Sequence, residues 1–267
     1  YFDYNVGLTM TNKKFNELFE GPPRKPESEL TQKEMDLARS VQEVTEEIVY
    51  KMAKHVRSIT SKKYLCLAGG VALNCVSNGK LLRSGLFKDI YIQPAAGDAG
   101  GAIGAAMIAW YQHLGNERNA DGKNDFMNGA YLGPDYSNEN IKMFLLNNGL
   151  NYIKLNDDEL PEKIADLISQ EKVIGWFQGR MEFGPRALGS RTIIGDARSP
   201  KTQKTINLKI KYRESFRPFA PSIREEDISD YFEIDRPSPY MLLVANVKKD
   251  KQLPMTDEQK SFFGLKK

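Results

Sequence analysis

Two short apolar runs, each ending in a glycine-bearing turn, set the terms on which this chain can fold. Tyr64 to Ala68 runs into Gly69-Gly70, and Ile90 to Ile92 is closed by Pro94 ahead of Gly97. Each run has the length of a buried strand, and each turn opens a helical stretch, over 71–82 and over 97–111. Strand, tight turn and helix in repetition predict an α/β to α+β architecture. Before them, Thr31 and Glu34 form a capping-box pattern. Apolar residues then recur at spacings of three and four from Leu37 to Ile59, which predicts one long helix.

The rhythm breaks at 114–128, a polar stretch without period, and restarts after Pro134. Helices are expected near 138–149 and 159–170, strands at 151–155 and 173–177, a helical piece over 200–210 and a strand over 240–247. A module boundary therefore falls near 114–135, separating 1–120 from 130–267. The chain has 267 residues, 40% of them hydrophobic, and a net charge of +3. Nothing in that balance demands a polyanionic partner, so nucleic acid is not expected. No apolar run reaches bilayer-spanning length. Cys66 and Cys75 lack metal-ligand spacing and make no disulfide scaffold, which sets a reduced, cytoplasmic location as the expectation.

Charge is concentrated in one place. Between Arg180 and Arg217 stand ten Lys or Arg and three acids, a local net of +7, so the remainder of the chain sums to −4. Arg180, Arg186, Arg191, Arg198, Arg213 and Arg217 alternate with Gly184, Pro185, Gly189 and large apolar residues. Guanidinium forks suit phosphate and carboxylate, and the glycines bring backbone N–H groups close to an anion. A solvated basic face would not need the interleaved Phe183, Leu188, Phe216 and Phe219. Lys211-Tyr212-Arg213 is expected to be extended, which would place its two cations on one face beside Arg217.

Two further constellations carry chemistry. Gly69, Gly70 and Asn74 can approach a nucleotide at a strand exit, or Asn74 can cap the turn. Asp98 stands alone among small residues at a second strand-to-helix turn, as a metal ligand, a ribose contact or a helix cap. His55 and His113 have no ligand-spaced neighbour, and no catalytic triad or P-loop is legible.

The segments AGGVALNCVSNGKL (68–81), GDAGGAIGAA (97–106), GRMEFGPRALGSRTIIGDAR (179–198), KYRESFRPFAPSI (211–223) and SPYMLLVANV (238–247) together resemble the O-carbamoyltransferase family, which holds nodulation-factor and antibiotic carbamoyltransferases. The resemblance implies part of an actin/hexokinase-like ATPase module, similar to tRNA threonylcarbamoyl transferases, followed by part of a threonylcarbamoyl-adenylate-synthase-like module. It implies that carbamoyl phosphate and ATP give carbamoyl adenylate with release of pyrophosphate. The carbamoyl group then passes to the hydroxyl of a small-molecule acceptor, aided by a divalent metal, often iron. Carried over by position, Asp98 matches a metal ligand, Gly69, Gly70 and Asn74 a nucleotide-contacting loop, and Lys211 and Arg213 the catalytic anion-binding pair. Arg186, Arg191 and Arg217 are their companions in substrate binding. The family's histidine pair and its later THVDGTAR-like and NTSFN-like stretches have no match here. The chain is therefore expected to be a piece of a longer enzyme, inactive alone and able to self-associate. A tRNA-modifying threonylcarbamoyl transferase, or a non-catalytic nucleotide- or anion-binding unit, are the alternatives.

Overall fold

The computed structural model describes residues 1–261 apart from Val6, Leu8 and Lys123. A short helix α1 (Lys13–Leu18) is capped by the Asn12 side chain, which accepts from the Lys14 N–H. The expected long helix is α2 (Gln32–Thr60), and the Glu34 carboxylate accepts from both the N–H and the Oγ1 of Thr31. Ser61, in the left-handed conformation, ends it.

Strands β1 (Tyr64–Leu67) and β2 (Asp89–Ile92) pair in parallel, with Tyr64 opposite Asp89 and Leu67 opposite Ile92. The crossover is a 3₁₀ turn (Gly70–Leu73) and helix α3 (Cys75–Arg83). A 3₁₀ turn replaces the first part of the helix expected over 71–82. Helix α4 (Asp98–Met107) follows β2 and widens into a π-helical end (Ile108–His113). Helices α5 (Asn138–Asn147) and α6 (Glu159–Ser169) come next. Then β3 (Ile174–Phe177) pairs antiparallel with β4 (Arg191–Ile194). Helix α7 (Thr202–Thr205) continues as a π-helical turn (Ile206–Ile210).

Two expected strands are absent and one strand was not foreseen. Residues 151–155 form no strand, and Ile153 is 86% exposed. Over 240–247 the run is broken at Met241, whose φ of 52° leaves the β region, and only Val247 bridges Phe232. In return β4 lies inside what reads as an arginine-rich loop. Its β-branched Thr192-Ile193-Ile194 was the signal.

The core is divided. Leu81, Phe87 and Ala53 form one cluster under α2. Ala72, Ile92, Ala96 and Leu242 form another, with Leu67, Leu73, Tyr240 and Leu243 packed around it. Residues 240–243 therefore pack on the β1–β2 unit, far away in sequence. The buried Asn78 ties them in by donating to the Ala72 and Leu242 carbonyls at 2.8 and 3.1 Å.

Candidate functional site

Parallel pairing puts the carboxyl ends of β1 and β2 side by side, the place where open α/β sheets bind ligands. The glycine turn after β1 and the small-residue turn after β2 thereby become neighbours. The Gly69 N–H donates to the Ala96 carbonyl at 2.7 Å. Gly69 has φ 98°, and a Cβ at Gly69 or Gly70 would meet nothing within 4 Å, so this turn is open to a ligand. Asn74 takes the structural alternative. Its Oδ1 accepts from the Ser77 N–H at 3.1 Å and caps α3, while its Nδ2 donates to Gln42 Oε1 at 2.9 Å.

The arginine-rich loop comes to the same place. Gly184 (φ 124°) lies so close to the β2 turn that an added Cβ would stand 3.3 Å from the Ala95 Cβ. Arg186 reaches back and donates to the Leu73 carbonyl at 3.2 Å, while its Nε is buried without a partner. Residues 127–134 hold the loop from behind. The Phe183 N–H donates to the Ala130 carbonyl at 2.6 Å, and the Tyr131 hydroxyl to the Leu188 carbonyl at 2.9 Å. Three motifs, from 68–81, 94–106 and 179–198, thus share one locus.

The loop's shape comes from a residue that the charge count treated only as an acid. Glu182 has a fully buried side chain. Its carboxylate accepts from the N–H groups of Leu188 (2.7 Å), Ser190 (2.9 Å) and Arg191 (3.2 Å), and Arg191 Nε lies 3.3 Å away. Burial pushes this carboxyl up, but the backbone N–H groups outweigh it and hold it below the usual glutamate range. The protein's own anion occupies the nest that the glycines make. Its signal was a lone acid flanked by glycine and arginine. Arg191 is consumed here and in a 2.8 Å bond to the Gly184 carbonyl.

The window's other two acids are consumed as well. Asp196 takes a forked pair of bonds from Arg198 at 2.9 and 2.7 Å, and that guanidinium holds its carboxyl down at about 2. Glu214 pairs with Arg24, and Glu27 accepts from the Ser215 N–H and Oγ, both at 2.9 Å. The Pro-rich 21–28 segment is thus a clamp on the 213–215 turn.

Lys211-Tyr212-Arg213 is not extended. Lys211 lies in the right-handed helical region and Tyr212 at φ 47°, so alternation by two does not place the two cations on one face. The buried Asn207 sets this turn instead. It donates to the Ser215 and Arg217 carbonyls at 3.1 and 2.8 Å and accepts from Arg213 Nε at 2.6 Å. Arg213 also lies over the Phe219 ring, 4.9 Å from its centre. Lys211 and Arg217 remain exposed with no side-chain hydrogen bond or ion pair among the described residues. The geometry thus separates scaffold cations (Arg191, Arg198, Arg213) from ones available to a ligand, which are Lys211, Arg217, the equally exposed Lys201, Lys204 and Lys209, and Arg186 in part.

Asp98 opens α4 with its side chain exposed, and Gly97 rather than Asp98 is the cap residue. Among the described residues no three His, Cys, Asp or Glu gather as a metal shell. One carboxylate does not fit a transition metal, which takes three or more protein ligands. Cavities elsewhere, including one of about 590 Å³ lined by Arg83, Phe87, Phe232 and Arg236, are separate from this locus. No described helix is long and apolar enough to cross a membrane.

Residues 1–107 match the family model described as Carbamoyltransferase N-terminus, and residues 165–259 match Carbamoyltransferase C-terminus. Over 269 residues, covering the whole chain, it is 57% identical to Uncharacterized protein sll1178 of Synechocystis sp., of which it spans 44%. It is 44% identical to Nodulation protein NolO of Bradyrhizobium diazoefficiens over 83% of the chain and 40% of that protein. Against Nodulation protein NolNO of Sinorhizobium fredii the identity is 42%, over 83% of the chain and 32% of that protein. The chain spans less than half the length of these relatives.

Proposed function

The chain belongs to the carbamoyltransferase family, and on that premise we propose that it contributes the anion- and nucleotide-binding surfaces of an O-carbamoyl transfer. Water cleaves carbamoyl phosphate to carbamate and phosphate, and a carbamate oxygen then attacks the α-phosphorus of ATP, forming carbamoyl adenylate and releasing pyrophosphate. An acceptor hydroxyl oxygen then attacks the carbamoyl carbon and AMP departs. The observation that carries this reading is the sorting of the cations. The three acids of the basic window are all engaged internally, yet Lys211 and Arg217 are left uncompensated beside the Asn207–Arg213 turn. Charge held ready on a braced turn suits ligands whose negative charge grows during reaction. The open Gly69-Gly70 turn, next to Arg186, is the proposed nucleotide-facing part.

Titration of carbamoyl phosphate and ATP into the wild-type chain and Lys211→Ala tests this. Removing one charge-assisted hydrogen bond costs roughly 1.5–3 kcal/mol, so affinity should fall about tenfold or more. Unchanged binding in Lys211→Ala would remove Lys211 from the site. Binding of tRNA but neither small anion would favour a tRNA-modifying relative instead.

A further inference from the structure

The turn between Lys211 and Arg217 is braced from both halves of the chain. From its own half, the buried Asn207 donates to the Ser215 and Arg217 carbonyls, and Gln203 donates to the Phe216 and Arg217 carbonyls at 3.2 and 3.0 Å. From the other half come Arg24 and Glu27, which stand 190 and 188 residues before their partners Glu214 and Ser215.

Arg24 is the pivot of that second brace. Its side chain is 13% exposed. Nη1 donates to the Lys25 and Ser28 carbonyls at 3.1 and 2.5 Å and closes the segment on itself, while Nη2 pairs with Glu214. Glu27 stands at φ 59°, a left-handed conformation that a glutamate rarely adopts unless its surroundings impose it. Its carboxylate accepts from the Ser215 N–H and Oγ, and these bonds hold the carboxyl below the usual glutamate range. The Thr31–Glu34 cap that starts α2 follows directly, so the segment is fixed at its far end.

The brace leaves the site's cations alone. Arg24 and Glu27 bond Glu214 and Ser215, and neither bonds Lys211, Arg213 or Arg217. An internal anion that blocked the site would take those cations; Glu27 takes the backbone and hydroxyl between them. Five cations and one acid lie from Lys204 to Arg217, and mutual repulsion would open such a turn if it were unbraced. On the anion-site reading given above, we propose that Arg24 and Glu27 are positioning residues for carbamoyl phosphate, holding the 213–217 turn in the conformation that presents Arg217 to the phosphate group. The sign of the effect separates this role from plain electrostatics. Removing a carboxylate beside a cationic site strengthens its hold on an anion, whereas removing a brace weakens it.

Calorimetric titration of carbamoyl phosphate into the 267-residue chain and its variants tests the role. Glu27→Gly removes the carboxylate and adopts the left-handed backbone without strain, so far-UV circular dichroism should not change. Its affinity should fall about tenfold, as misplacement of a binding group does. Glu27→Gln keeps an acceptor for Ser215 and drops the charge, and should stay within about threefold of wild type. Arg24→Lys keeps the charge but not the fork that reaches the Ser28 carbonyl and Glu214 together, and should also weaken binding. In an Arg217→Ala background, Glu27→Gly should cost less than about twofold, because the brace acts through Arg217. Tighter binding by Glu27→Gly, a loss in Glu27→Gln as large as in Glu27→Gly, indifference to Arg24→Lys, or an equal loss with and without Arg217 would each overturn the proposal. Wild type and Glu27→Gly binding equally well would remove the positioning role and leave the anion site standing. A wild-type chain that binds no carbamoyl phosphate would overturn the anion site and the positioning role together.

Discussion

At the scale of single residues, buried acids decide which arginines are available. Glu182 accepts three backbone N–H groups and faces Arg191, so its loss leaves several buried donors unpaired. Glu182→Gln keeps the volume but offers one acceptor oxygen and an amide that meets N–H groups as a donor. A loss of about 2–3 kcal/mol in urea unfolding is expected, with Glu182→Ala at least as severe. Asp196 gives a prediction in pH. Its folded value is lowered from 3.8 to about 2. A lowered carboxyl stabilises the fold above its unfolded value, and that contribution disappears as pH falls from 3.8 towards 2. Asp196→Asn lacks the contribution throughout. The melting-temperature difference between wild type and Asp196→Asn should therefore be present at neutral pH and vanish across that window. A difference that stays constant down to pH 2 would show that Arg198 does not set the behaviour of Asp196.

At the scale of elements, the 180–190 loop is a fitted piece. Gly184 combines φ 124° with a 3.3 Å approach to Ala95, so a side chain there is strained and also crowded. Gly184→Ala should cost about 1–3 kcal/mol. It should also detach Arg186 from the Leu73 carbonyl, lowering ATP affinity alongside stability. Stability and affinity both unchanged would mean that the three motifs do not depend on this contact. Elements with strong local signals were legible in the sequence. Thr31 and Glu34 marked the start of α2, and the glycine turns marked the ends of β1 and β2. The misses arose where distant partners decide. Residues 151–155 had strand composition but no neighbouring strand, while β4 became a strand because Ile174–Phe177 offered an edge. The motifs of the candidate site were legible too, but the roles within them were not. Nothing local distinguishes an Arg213 held by Asn207 and Phe219 from an Arg217 left free. The extended reading of Lys211-Tyr212-Arg213 failed because a π-helical turn and a left-handed Tyr212 are set by the bonds of Asn207.

At the scale of the whole molecule, the two halves are separate in sequence but laced together in space. The polar stretch proposed as a module boundary is heterogeneous. Residues 114–122, 124 and 125 are largely exposed, whereas Met127 and Ala130 are 4% and 1% exposed, the Ala130 carbonyl accepts from the Phe183 N–H and the Gly129 N–H donates to the Tyr240 hydroxyl. The return segment crosses the boundary. Asn78 bonds the Leu242 carbonyl, Arg83 the Val244 carbonyl at 3.0 Å, and Arg236 pairs with Asp89 at 2.6 Å. Proteases cut exposed backbone that few contacts hold, so limited digestion with the unspecific proteinase K should cleave first near Arg118, within the exposed part, and spare 127–134. Because Leu242 is shared with the Ala72–Ile92–Ala96 cluster, the two fragments should then co-elute on gel filtration and separate only in denaturant. Fragments that separate at once in native buffer would make the halves independent modules. Early cleavage within 127–134 would show that the Ala130–Phe183 contact does not hold the arginine-rich loop in place.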